Sequence, residues 1–234
     1  MILELAQVEI HRRSTGGCVQ NDGFCPDWIV HNLDRYVDPF REQVVLVVVS
    51  VAIGFVIASA LALLAHRRRW LVGPIIGVTG VLYTIPSLAA FFLLQPITGR
   101  GSLTAIIALV AYTLLIIFRN VTTGLRGVPA EATDAGRGLG LTDNQLLWKV
   151  EVPLALPEIM AGLRIASTTT VGLATLAFFA GAGGLGERFV GSQIVFKSNV
   201  VVAGALCVLL AVALDLIILL VQRLLTPWTR ARAT

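Results

Sequence analysis

Residues 127–162 read GVPAEATDAGRGLGLTDNQLLWKVEVPLALPEIMAG, the one sizeable polar stretch inside an otherwise apolar chain. It opens on Gly127-Val128-Pro129 and runs through a small-residue, helix-competent piece that carries Glu131, Asp134 and Arg137. It pivots at Gly140 and returns as a second helical piece over 143–151, expected to close at Pro153 and Pro157 because proline lacks an amide N–H and crowds the preceding turn. On either side the chain is too apolar for a soluble domain. Hydrophobic residues make up 56% and charged residues 14%, against about 25% charged in soluble domains. Mean hydropathy is +0.83.

Five apolar runs flank this stretch, at 44–65, 71–94, 102–121, 159–182 and 200–224. Each is long enough to cross about 30 Å of hydrocarbon at roughly 1.5 Å per residue. Barrel strands would be about ten residues long and alternating. The fold class is therefore an all-α membrane protein of five transmembrane helices. Five crossings put the termini on opposite sides. With the N-terminus outside, the larger share of the 18 lysines and arginines falls inside, led by Arg67, Arg68 and Arg69 directly after the first run. The expected topology is N-out, C-in. Residues 1–42 form an extracytoplasmic extension ending in an interfacial helix over 27–43, with Trp28 and Tyr36 as interface aromatics. Residues 43–225 form the membrane domain, with the loop 127–157 in the cytoplasm, and 226–234 a cytoplasmic tail. Met1–Ile10 has no basic n-region, so the first span is expected to direct insertion.

The net charge of +4 follows membrane topology and not nucleic acid, since no basic stripe with interleaved aromatics occurs. No phosphate loop, dinucleotide fingerprint or nucleophile–base pattern is present. Energy must come from a partner or an ion gradient. Cys18 and Cys25 lie in a Gly-containing loop outside the membrane. A disulfide and two free thiols are both open there, and a zinc site with His11 and His31 matches no usual ligand spacing. Cys207 reads as a small packing residue. Within the spans, Pro86 bends its helix beside Tyr83 and Ser87. That is either a packing kink or the wall of a cavity between the spans. Asp215 is either a functional residue or an acid paired with a base on another span. The small-residue helix is either a plain connector or a surface that lies close against another protein.

Asp134-Ala135-Gly136, three residues, Gly140, nine residues and Val150-Glu151-Val152-Pro153 resembles the EAA loop of binding-protein-dependent ABC importer permeases. That pattern is Glu-Ala-Ala, three residues, Gly, nine residues, Ile-x-Leu-Pro. The stretches WIVHNLDR (28–35), YTIPSLA (83–89), FRNVTTGLRGVP (118–129), GAGGLG (181–186) and LTPW (225–228) are similar to the osmoprotectant branch, the glycine betaine, carnitine and choline permeases. The resemblance implies a type I, methionine-importer-like permease core in a bacterial inner membrane, and not an enzyme. The chain would form half of the pathway for a compatible solute such as glycine betaine, choline, carnitine or proline. Its partners would be cytoplasmic ABC ATPase subunits, a second permease (identical or related) and an extracytoplasmic solute-binding protein. ATP and Mg would sit on the ATPase and no cofactor or metal on this chain. The coupling residues would be Glu131, Asp134, Ala135, Gly136, Gly140 and Pro153, with Asp134 on the ATPase and Gly140 at the turn. Gly136 in place of Ala lowers intrinsic helix stability by up to about 1 kcal/mol. Three other readings stand beside this one. They are the same machine for an amino acid, a stand-alone secondary transporter or channel, which would need inverted repeats, and a membrane-embedded enzyme.

Overall fold

The computed structural model describes residues 24–190 and 197–228, and every regular element among them is helical. Met1–Ile10, His11 and Cys18, read above from the sequence, lie outside the described residues. The chain enters through a short helix α1 (Pro26–His31) and a 3-10 turn (Leu33–Tyr36), then runs into α2 (Val37–Arg67). The interfacial helix expected over 27–43 is thus split, and its second half already belongs to the first span. Tyr36 does not face the interface. It is buried among Leu185 and Ala203, and its hydroxyl donates to the Asn199 side chain, an acceptor that draws it inward.

The second apolar run is not one straight helix. It consists of α3 (Val72–Thr84) and α4 (Ser87–Thr98), and the stretches Arg69–Thr84 and Ser87–Thr98 meet at 97°. Pro86 supplies no N–H and keeps Ile85 out of the helical region, at φ −63°, ψ 127°. The break leaves the Ile85 carbonyl without a helical donor, and the Tyr112 hydroxyl donates to it. A backbone acceptor inside a membrane needs such a partner. Val72, at the start of α3, packs in one core cluster with Ala65 and Leu125. Past the end of α4, the Gly101 amide donates to the Ala180 carbonyl, beside a second cluster with Leu46 and Ala182. The bent pair therefore connects opposite ends of the bundle, which with the four long helices makes five candidate spans among the described residues.

The third span, α5 (Ser102–Arg126), is the central helix and packs against α2 and α8 (Val152–Ala174). Small residues allow the backbones to approach. A Cβ on Gly54 would run into the Thr113 side chain, and one on Gly124 would stand 3.0 Å from the Ala155 carbonyl oxygen. The last span, α10 (Lys197–Leu225), leans on α8 and buries only Ser198, Asn199, Ala203 and Leu210. The rest of its apolar surface suits lipid or a second membrane subunit.

Candidate functional site

The polar stretch folds as a helix, a sharp turn and a returning arm. Pro129, at φ −59° and ψ 137°, ends the connection from α5 and precedes α6 (Ala130–Gly138). Glu131 sits in the first turn of α6 and Arg137 in the last, each on the favourable side of the helix dipole. The helix stops at Gly140, whose φ of +80° suits a residue without a Cβ. The Leu141 amide donates to the Gly136 carbonyl at 3.2 Å and the Gly140 amide to Arg137 at 2.9 Å, the paired bonds of a Schellman C-cap. Thr142 then caps α7 (Asp143–Leu146) in a capping box: its hydroxyl accepts from the Gln145 amide, and its own amide donates to the Gln145 side chain at 3.0 Å.

The return arm does not close at Pro153 or Pro157. A π turn over Leu147–Glu151 carries α7 into α8, and the helical path runs from Asp143 to Ala180, ending in a 3-10 segment, Thr175–Ala180. Pro153 lies in the first turn of α8, directly after the π turn, where a missing N–H costs least. The widened turn absorbs the proline instead of ending the helix.

Glu131, Asp134, Ala135 and Gly138 are all exposed and recur at helical spacing, so they form one stripe on α6. Leu139, at the tip, is 83% exposed. Asp134 and Arg137 stand 3.7 Å apart as an exposed pair of little energetic weight. Gly136 faces the other way and is buried. A Cβ there would lie 2.6 Å from Cδ1 of Leu146, so the glycine lets α6 lie close on the return arm. Two contacts tie the arm to the C-terminal end of α2. Arg67 donates to the Asn144 side-chain oxygen, and His66 Nε2 lies 2.8 Å from Glu151 Oε2. These four residues line a cavity of about 590 Å³ with Arg137 and Thr142. Sequence reasoning did not single out His66, Asn144 or Glu151 for this role. Nothing in their spacing joins the end of one span to a loop some 80 residues on.

The residues expected along the pathway separate. Tyr83 packs edge-on to Tyr112 at 6.0 Å, and Pro86 and Ser87 form the helix break beside that pair. Asp215 is on α10, where Arg164 of α8 engages both carboxylate oxygens, at 2.7 and 2.8 Å. Of the two sequence readings for Asp215, the geometry fits the paired acid. Cys25 is disulfide-bonded, and its amide donates to Ser198 Oγ at 2.7 Å. Cys207 is a free thiol.

At the opposite end of the bundle the 181–186 loop is clamped. The Gly184 amide donates to Glu42 Oε2 at 2.8 Å and the Leu185 amide to Gln43 Oε1 at 3.3 Å, while Gln43 Nε2 donates to the Val171 carbonyl at 3.0 Å. Neither Glu42 nor Gln43 was picked out by sequence pattern. Among the described residues no three His, Cys, Asp or Glu side chains converge as a metal site.

Residues 50–231 match the family described as binding-protein-dependent transport system inner membrane component. The choline transport system permease protein OpuBB of Bacillus subtilis strain 168 is 37% identical over 188 residues, which cover 80% of this chain and 86% of that protein. The osmoprotectant import permease protein OsmW of Salmonella typhimurium strain LT2 is 39% identical, covering 78% and 87%. Among solved structures, the inward-facing MetNI methionine ABC transporter superposes with a TM-score of 0.66 at 25% identity, covering 78% of this chain and 94% of that one. A helical bundle matched along most of its length by such relatives is a multi-pass permease subunit and not an enzyme: the chain belongs to the family of binding-protein-dependent ABC transport system inner membrane components.

Proposed function

We propose that this chain is half of the translocation pathway of an ATP-driven importer for quaternary-ammonium compatible solutes. Choline, glycine betaine and carnitine are the solutes named for its relatives. The observation that carries the mechanism is the continuous helical path from Asp143 to Ala180 behind the exposed stripe of α6. A cytoplasmic ATPase gripping Glu131, Asp134 and Ala135 moves α6. Gly136 against Leu146 passes the displacement to the return arm, and α8 carries it towards the outer face. ATP and Mg belong to that ATPase. In this reading the N-terminus is outside and the C-terminus inside, and 127–157 is cytoplasmic. The disulfide of Cys25 lies in the outer extension. A second permease completes the pore and a solute-binding protein delivers to its outer face. Tyr83, Pro86 and Ser87 border the pathway at the helix break. Asp215, held by Arg164, is a structural pairing beside it.

The test is reconstitution with the ATPase, second permease and binding protein in proteoliposomes. Glycine betaine, choline or carnitine should accumulate only with ATP. Accumulation of methionine or another amino acid with no response to these solutes would favour the second reading, which the likeness to the MetNI methionine ABC transporter supports. Accumulation without the ATPase would overturn both.

A further inference from the structure

At the outer end of the bundle three phenylalanines from two distant parts of the chain line one open cavity of about 410 Å³, together with Arg100 and Glu187. That volume lies within the range of small-molecule sites, about 300–1,000 Å³. Phe92 comes from α4, while Phe178 and Phe179 come from the 3-10 segment after α8. The Phe178 and Phe179 rings stand 5.6 Å apart at 67°, so they form two walls of a corner.

The cavity is held in shape by its backbone. Gln95 donates to the Phe179 carbonyl at 3.0 Å, which ties α4 to the 3-10 segment. The Gly101 amide donates to Ala180 at 2.8 Å, which fixes Arg100 beside the phenylalanines. The Arg100 side chain lies over Gly181, with Cβ and Nε each 3.5 Å from where a Cβ on that glycine would be. Glu187 projects from α9 (Gly186–Val190). Neither Arg100 nor Glu187 enters an ion pair among the described residues.

Such a lining selects a particular chemistry. A quaternary ammonium group cannot donate a hydrogen bond. Ring faces and a carboxylate attract its diffuse charge. A guanidinium offers a forked donor to a carboxylate. We propose that this cavity is an outer receiving site for a trimethylammonium carboxylate: Phe92, Phe178, Phe179 and Glu187 take the cation, and Arg100 takes the carboxylate. The proposal rests on the importer reading above and extends it, because it assigns solute recognition to the permease itself. It also separates the solutes by chemistry, since glycine betaine and carnitine carry a carboxylate and choline does not.

The test is ligand-observed NMR on the purified permease–ATPase complex without binding protein, which keeps weak sites visible. Glycine betaine and tetramethylammonium are the probes. Both should bind the wild-type complex. Phe178→Leu should weaken both about tenfold, in line with a cation–π contact. Arg100→Gln should weaken glycine betaine about tenfold and leave tetramethylammonium unchanged, which excludes misfolding of that variant, while Phe178→Tyr should retain most of the binding of both probes. The proposal is overturned if the wild-type complex binds neither probe. It is equally overturned if Phe178→Leu leaves tetramethylammonium unaffected, or if Arg100→Gln weakens both probes alike or neither. ATP-driven uptake by the complete system separates the two levels. If betaine uptake persists while these bindings fail, only the receiving site falls; if no quaternary ammonium solute is taken up, the importer assignment falls with it.

Discussion

At one end of the bundle, Glu42 and Gln43 reach across to hold Gly184 and Leu185, and Gln43 also fastens the Val171 carbonyl. At the other end, α6 leaves Glu131, Asp134, Ala135 and Leu139 in the open and rests on its own chain through Gly136 against Leu146. Both ends are irregular polar breaks between apolar helices, yet the 181–186 loop is held down by side chains of another helix while one face of α6 is left uncovered. An intramolecular clamp suits a loop whose shape must persist. An exposed stripe with spare hydrogen-bonding and charged groups suits a surface completed by another protein. The difference lies in whether the segment's outward face is covered by another helix of the same chain.

The largest effect expected at the open end is on transport. Asp134→Lys should abolish uptake while leaving membrane insertion and thermal stability in detergent unchanged, because Asp134 contacts only Arg137 and weakly. Normal uptake in that variant would remove the coupling role. At the clamped end the largest effect is on folding. A Cβ on Gly186 would collide with the Thr175 carbonyl oxygen, a backbone atom that cannot swing aside. Gly186→Ala should cost about 3 kcal/mol or more, read as loss of monodisperse protein on extraction; unchanged yield and melting temperature would contradict the tight packing.

Gln43→Leu should be next. It leaves the buried Val171 carbonyl and the Leu185 amide without partners, a loss of about 2–3 kcal/mol. A denaturant titration that matched the native protein would show the clamp to be dispensable. Breaking the charge pair in the spans tests a different link. Asp215→Asn should lower stability, and adding Arg164→Gln should recover part of the loss, since the first change strands a guanidinium between helices. Strictly additive losses would mean the pair is not coupled.

The smallest effect belongs to Gly136→Ala. The alanine gains up to about 1 kcal/mol of helix propensity, against a shift of the Leu146 methyl that stands 2.6 Å from the new Cβ. Because a side-chain end can move, the net change should stay within about 1 kcal/mol, with uptake retained. A loss of uptake would show that the separation of α6 from the return arm is itself under functional constraint.

Much of the architecture is visible in one dimension. Every apolar run has a helical counterpart, since length and lack of charge are local properties. The coupling stretch stands out by polarity, and its Schellman turn by Gly140. The run 71–94 shows the limit of this reasoning: Pro86 announces a bend, but not a 97° break with its carbonyl capped by Tyr112 from another helix. The prolines at 153 and 157 mislead in the other direction. Read locally they end a helix, while in the fold a π turn accommodates the first and packing on α5 keeps the helix going.

From its sequence alone, this chain was determined to be a helical membrane protein with one water-side stretch spaced like a coupling loop. Apolar length and motif spacing need no knowledge of neighbours. The tertiary structure alone decided which distant groups meet: Arg164 with Asp215, His66 with Glu151, Gln43 with the 181–186 loop, and the phenylalanines around Arg100 and Glu187. The physical reason is that side-chain partners inside a bundle are set by how each helix is rotated and how deep it crosses. Both depend on close approach at small residues such as Gly54 and Gly124, not on any spacing along the chain.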